Sequence, residues 1–226
     1  ITGLGDEAIT VDSGTATTAQ ANALADETSG IVTATIAEGD LATLSGLTGT
    51  GNAYAITISD TAVNAAILNA INNKTINDIN GQNIIQIEGT AEDIATAYTA
   101  GGINGLGDEE IIFTASNINA SDLIAIDSAN SQVIDASTLT TLTGTAVDLN
   151  TAFDSGGISN LGDEDVPLTD TSLTASVFNA LDDNTSGTIN ANTVNTLSGA
   201  AAHLIAAVSS SGIPGTGAAA ITVDRG

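Results

Sequence analysis

Cysteine is absent from the chain, and with it go disulfides, thiolate metal sites and cysteine nucleophiles. Methionine and tryptophan are absent too, and aromatic residues make up only 2% of the 226 residues, which excludes a conventional bulky core. Hydrophobic residues still reach 42%, too many for simple disorder, so the interior must be thin layers of Ala, Val, Ile and Leu. Positive charge is nearly missing: Lys and Arg number 2 against 27 Asp and Glu, a formal net charge of -25. A phosphate backbone would be repelled along most of such a surface, so no nucleic-acid partner is expected and anionic membranes are disfavoured. No apolar run reaches the roughly 18 residues of a membrane span, so no transmembrane segment is expected. No basic-then-apolar leader opens the chain, and Ile1 falls inside a recurring phrase, so a longer natural parent is expected.

What is present is repetition. "NAAILNAINNKT" (Asn64–Thr75), "NASDLIAIDSANS" (Asn119–Ser131) and "TASVFNALDDNTS" (Thr174–Ser186) follow one another at a period of about 55 residues. "NIIQIEGTAEDI" (Asn83–Ile94), "TLTTLTGTAVDL" (Thr138–Leu149) and "TVNTLSGAAAHL" (Thr193–Leu204) keep the same period. An acidic glycine turn punctuates the array: "GLGDE" at Gly3–Glu7 and Gly105–Glu109, "NLGDE" at Asn160–Glu164. The modules run approximately over 1–52, 53–107, 108–162 and 163–217, with 218–226 starting another. The first is irregular, because the segment matching Thr145–Phe153 is missing from it.

Within a module, each acidic turn leads into a short β-prone stretch such as Ala8–Val11, Ala55–Ile58, Glu110–Thr114, Asp165–Thr169 or Ala220–Val223. Asp60–Thr61 and Asp170–Thr171–Ser172 are expected to supply N-cap oxygens to the helix that follows. That helix should bury Ile67, Leu68 and Ile71, or Val177, Phe178 and Leu181 in the last copy. "TSG" at Thr28–Gly30 and Thr185–Gly187 should close it, with glycine in a left-handed exit. A second strand follows about 22 residues after the first (Ile31–Ile36, Gln132–Ala136, Thr188–Ala191), then a second helix with Ala146, Leu149 and Phe153, or Ala201, Leu204 and Val208, on one face. Strands separated by helices run parallel. The expected fold is therefore α/β: a repeat solenoid of strand–helix–strand–helix modules with a parallel sheet on one side. The alternative is a string of small βαβα domains, each marginal at about 55 residues.

The acidic turns are the candidate site. Asp6, Glu7, Asp108, Glu109, Glu110, Asp163, Glu164 and Asp165 would recur along one edge of a stack, where a calcium ion could bridge them with carboxylate oxygens. The competing reading is a solvated edge whose Gly and Asp residues supply turn geometry and caps. Neither known calcium pattern fits: "GGINGLGDE" from Gly101 has Asn104 and Leu106 where the β-roll repeat needs Gly and Asp, and no EF-hand loop occurs. His203, the single histidine, stands where earlier copies have Asp148 and Asp93, so no His-dependent triad can be drawn. "GIPGTGAAA" (Gly212–Ala220) lacks the phosphate-loop Lys and reads as a degenerate acidic turn. No catalytic constellation emerges, and the chain is not expected to be an enzyme. Asn73, Asn119 and Asn184 open N-glycosylation sequons, which makes a surface glycan a candidate at each.

"TLTGTAVDLNTAFDSGGISNLGDE" (Thr141–Glu164) and "TASVFNALDDNTSGTINA" (Thr174–Ala191) resemble units of long tandem-repeat proteins of marine bacteria, especially cyanobacteria, and of some cyanophage structural proteins. The resemblance covers nearly the whole chain. It implies an extracellular or cell-surface location and a structural or adhesive role, such as a filament, sheath or surface layer, or adhesin stalk, with self-association as the expected partner interaction. A calcium-dependent surface or carbohydrate-binding module, or a phage fibre segment, is the alternative.

Overall fold

The computed structural model describes residues 4–212 and 219–224. It is mixed α/β, with eight helices and several short parallel sheets among the described residues, and it divides into two compact units at Ile112/Phe113. Unit 1 begins with β1 (Ile9–Thr10), α1 (Thr18–Asp26), β2 (Val32–Thr35), α2 (Leu41–Leu44), β3 (Ala53–Ala55) and β4 (Ala62–Asn64). It continues with α3 (Ala65–Asn72), β5 (Ile79–Asn80), β6 (Gln86–Gly89), α4 (Ala91–Thr99) and β7 (Ile103–Asn104), and the boundary falls inside β8 (Glu110–Phe113). Unit 2 holds β9 (Asn117–Asn119), α5 (Ala120–Ala129), β10 (Ile134–Asp135), β11 (Thr141–Thr143), α6 (Ala146–Phe153), β12 (Ile158–Ser159) and β13 (Val166–Pro167). It closes with β14 (Ser172–Thr174), α7 (Ala175–Asn184), β15 (Ile189–Asn190), β16 (Thr196–Gly199), α8 (Ala201–Ser209) and β17 (Ala220–Val223).

Every strand pairing is parallel, and in the regular modules partners recur at a nearly constant separation: Asn117 pairs with Thr141, Thr141 bridges Asp165, and Val166 pairs with Ile189. The structural coil is therefore about 24 residues, less than half of the sequence period of about 55. Two coils and a short extended step complete that period. In unit 2 the step runs from Asp165 to Ser172, where the chain leaves one ladder (β9–β11–β13–β15) and opens the next (β14–β16–β17). This step corrects the expected strand–helix–strand–helix module. The threonine- and asparagine-rich lead-ins to both helices are themselves strands, β14 and β16, because "SLT" and "TLSG" place every second residue inward. The expected single sheet is likewise several sheets of two or three strands.

Core positions recur at the sequence period. Ala65, Ala120 and Ala175; Leu68, Leu123 and Phe178; Ile71, Ile126 and Leu181; and Ile79, Ile134 and Ile189 are all buried. Alanine leads each first helix inward, so the buried stripe is i, i+3, i+6. Ile67 is displaced to the surface, a correction to the expected face. On the second helix the stripe takes Ala152 and Ala207, with Phe153 only half-buried and Ala201 and Val208 exposed. In the first module the second helix is reduced to the single turn α2, and Thr33 meets its register partner Ala53 after a correspondingly shorter coil.

The helix caps are not where local sequence places them. Asp60 and Asp170 do not cap the helix that follows: Asp60 Oδ2 accepts from Leu41 N (2.7 Å), and Asp170 Oδ2 accepts from Ala146 N (2.7 Å). Each carboxylate thus meets the positive N-terminal end of the helix one coil earlier. Local caps come instead from Thr90 and Thr145, whose hydroxyls accept from Asp93 N and Asp148 N (both 3.1 Å) and donate to those carboxylates (both 2.7 Å). Asn64 Oδ1 accepts similarly from Ile67 N (3.2 Å). Helix α8 has Ala200 and His203 at these two positions and no side-chain cap. Restoring the pair with Ala200→Thr and His203→Asp is expected to stabilise unit 2 by about 1 kcal/mol, read as a shift of its denaturant midpoint.

Candidate functional site

The acidic turn is a docking element for the coil that follows it. In the last module the turn at Gly162–Glu164 is held by "TSG" one coil later: Ser186 N and Oγ donate to Gly162 O (2.7 and 3.0 Å), and Thr185 Oγ1 to Glu164 O (3.4 Å). The first module repeats this arrangement, with Ser29 N and Oγ on Gly5 O (2.7 and 2.9 Å) and Thr28 Oγ1 on Glu7 O. The glycine of "TSG" is not a left-handed helix exit, which corrects that expectation. Instead, a Cβ on Gly30 or Gly187 would run into the carbonyl oxygen of Glu7 or Glu164. Two motifs read separately in the sequence are the two halves of one contact. Their joint presence, or joint alteration, one coil apart was the available signal.

The first letter of the turn is set by backbone conformation. Gly105 has φ 91° and Asn160, its counterpart, has φ 62°, and glycine and asparagine are the residues that most readily enter this left-handed region. That accounts for "GLGDE" alternating with "NLGDE". Asn160 also donates its amide to Asp135 Oδ1 (2.8 Å) on the neighbouring coil.

The eight candidate acidic residues separate by exposure. Asp6, Glu7, Asp108, Glu110, Asp163 and Asp165 lie toward solvent, whereas Glu109 and Glu164 are 0% and 1% exposed and turn inward. Glu109 acts as an internal acceptor for Gly107 N (2.8 Å), Asp108 N (3.1 Å) and the Tyr98 hydroxyl (2.7 Å). Glu164 Oε2 accepts from Gly162 N (2.9 Å), while its Oε1 is buried without a hydrogen-bond partner. Phe153 is the counterpart of Tyr98 one sequence period later, so the second turn lacks the phenol that serves the first. In the turns at Asp108–Glu109 and Asp163–Glu164 neighbouring carboxylates point to opposite faces, whereas Asp6 and Glu7 are both exposed, and no three acidic or histidine side chains converge on one point among the described residues. Asn104 Nδ2 donates to Asp78 Oδ2 (3.0 Å) on a neighbouring coil, and residues 213–218 of "GIPGTGAAA" lie outside the described residues.

Asparagine and aspartate do the remaining work between coils. Asn69 Nδ2 donates to Asp93 O (2.8 Å), Asn150 Nδ2 to Val177 O (3.1 Å) and Asn179 Nδ2 to His203 O (3.1 Å), each tying one helix to the next. Of the sequon asparagines, Asn119 caps α5 and Asn184 Nδ2 donates to Asn150 Oδ1 (3.0 Å), while Asn73 lies at the surface. His203 is exposed, and no helix among the described residues is long and apolar enough to cross a membrane.

Two carboxyls lie below their ordinary range. Asp135 is held down first by the Asn160 amide and then by the Ser137 backbone and side chain; Asp40, the N-cap of α2, is held down by the Thr43 N–H and hydroxyl. A lowered folded-state pKa means stability that is present above the ordinary value near 3.9 and lost as pH falls through the folded value. Asp135→Asn is therefore expected to flatten the loss of melting temperature on acidification below about pH 4, relative to the unsubstituted chain.

The sequence matches no protein-family model and no curated protein, and the fold matches no solved structure.

Proposed function

We propose that the chain is a structural repeat segment of a secreted or cell-surface protein, a filament, sheath or adhesin-stalk element, whose modules are successive coils of one solenoid and which self-associates. The observation that carries this reading is where the polar chemistry goes. Acidic turns, aspartate caps and asparagine amides are spent on bonds to the neighbouring coil, and inside each unit helices meet their neighbours in chain order, α3 with α4, α5 with α6, α6 with α7 and α7 with α8. Side chains committed to stacking in this way serve an array, as in other linear repeat architectures. The charge of -25 suits a saline exterior, where the Debye length shrinks to roughly 3–4 Å and repulsion between stacked carboxylates is screened.

Small-angle scattering tests the solenoid. A compact chain of this length has a radius of gyration of about 17 Å. A value well above the compact one is expected for the monomer, and a value at the compact limit rules the reading out.

A further inference from the structure

We infer that copies of the chain associate side by side through one helix contact: the exposed stripe Val147, Thr151 and Asp154 of α6 on one copy lies in the groove between α2 and α3 on the next, with Asp154 against Lys74. This rests on the self-associating repeat reading above and names its contact. The groove comes from the irregular first module. Where a full second helix precedes a first helix, as α6 precedes α7, its last turn covers the neighbour: Asn150 Nδ2 donates to Val177 O (3.1 Å), and Asn184 Nδ2 donates to Asn150 Oδ1 (3.0 Å) and Asp154 Oδ1 (3.3 Å). Helix α2 stops at Leu44, so it has no counterpart of that turn. The face of α3 that matches Val177–Asn184 is left open as a groove of about 220 Å³ lined by Leu44, Ile67, Ala70, Ile71 and Lys74. Ile67 is 39% exposed there, whereas its counterpart Val177 is half-buried.

Charge and spacing select the occupant. Two copies carrying a net charge of -25 repel each other over most of their surface. Of the two cationic residues, Arg225 lies outside the described residues, and Lys74 stands at the end of this apolar groove. No carboxylate pairs with its ammonium among the described residues. An acidic segment with an apolar lead is therefore received here and repelled elsewhere. Helix α6 presents one: Val147, Thr151 and Asp154 are exposed and follow the i, i+4, i+7 spacing of a single helix face. Across α1–α7, Ile67 and Val147 are the large apolar side chains exposed on helices among the described residues, and the contact covers both. Ile67 and Lys74 are seven residues apart, as are Val147 and Asp154, about 10 Å along a helix axis in each case. With Val147 on Ile67, the helices run parallel and Asp154 reaches Lys74. Both negative C-terminal helix ends then lie together, with the ammonium between them. Lys74 is the counterpart of Asn184, which already bonds Asp154 Oδ1 within one chain, leaving Oδ2 for the second copy. Stripe and groove are different surfaces, so each copy offers one of each and addition can continue.

The test uses the full chain at saline ionic strength, with mass followed by sedimentation over rising concentration. The unsubstituted chain is expected to associate, and Lys74→Glu and Asp154→Lys each to weaken association about tenfold or more, because each sets like charges against one another. Neither side chain is in the core, so circular dichroism should be unchanged. An equimolar mixture of the two variants should regain association: Asp154 of the first meets Lys74 of the second, and the introduced lysine meets the introduced glutamate. Because the chain is free of cysteine, Ile67→Cys on one copy and Val147→Cys on another should, on oxidation, give disulfide-linked heterodimers in excess of either homodimer. Association of Lys74→Glu at the unsubstituted level, a variant mixture no better than its parts, or cysteine pairing dominated by homodimers overturns the inference and leaves self-association through another surface standing. An unsubstituted chain that stays monomeric overturns both, and uptake of octanoate at the groove of that monomer would assign it to a small amphiphile instead. The scattering radius of the monomer is independent of these outcomes, so the solenoid reading stands or falls separately.

Discussion

Replacing Gly187 with alanine is expected to destabilise unit 2 by about 3 kcal/mol or more, a large effect for the addition of one methyl group. The added Cβ would overlap the backbone carbonyl of Glu164, and backbone cannot move aside as a flexible side chain can. To relieve the overlap the "TSG" segment must separate from the acidic turn, which also breaks the bonds from Ser186 N and Oγ to Gly162 O. Gly156 is the control: no atom lies within 4 Å of where its Cβ would be, so Gly156→Ala should leave stability nearly unchanged. Equal denaturant midpoints for the two variants would refute the docking role assigned to the turn.

The second large effect is a reciprocal exchange between Tyr98 and Phe153. Tyr98 donates to buried Glu109 at 2.7 Å, and removing one partner of a buried hydrogen bond costs about 1–3 kcal/mol, so Tyr98→Phe should destabilise unit 1 by roughly that amount. In unit 2 the carboxylate is equally buried and its Oε1 has no partner, with a phenylalanine at the corresponding position. Phe153→Tyr adds only a hydroxyl there and should stabilise by about 1–2 kcal/mol. Combining Phe153→Tyr with Glu164→Gln should change that gain, because the acceptor the phenol would meet is altered. An additive double-mutant cycle would show that the phenol does not reach the carboxylate.

Much of this fold was legible because the core repeats as strictly as the sequence. Wherever one copy places Leu68 or Ile79, the next places Leu123 or Ile134, and burial follows. Parallel pairing was legible from helices intervening between β-branched runs. The spacing of paired strands was legible, since about 22 residues were expected between them and Val166 pairs with Ile189, 189 − 166 = 23 residues on; the extended step between ladders, from Asp165 to Ser172, was not. Nor were the caps, because Asp60 and Asp170 precede helices of their own and a local rule assigns them there, whereas their partners Leu41 and Ala146 lie 19 and 24 residues back. The acidic turn was recognisable as a unit, but its carboxylates look equivalent in one dimension. Alternation makes Glu109 and Glu164 interior acceptors and leaves Asp108 and Asp163 toward solvent.

The backward-reaching aspartates impose an order in time. Helix α6 can form its turns as soon as Phe153 has been made, yet the acceptor for its Ala146 N–H arrives only with Asp170. At translation rates of about 5–20 residues per second, the 24 residues between them represent a delay of roughly 1–5 s. A growing chain therefore carries α2 and α6 without their aspartate acceptors until Asp60 and Asp170 have been made. Assembly of such a chain proceeds like a zip fastener closed from the N-terminal side, with synthesis setting the pace.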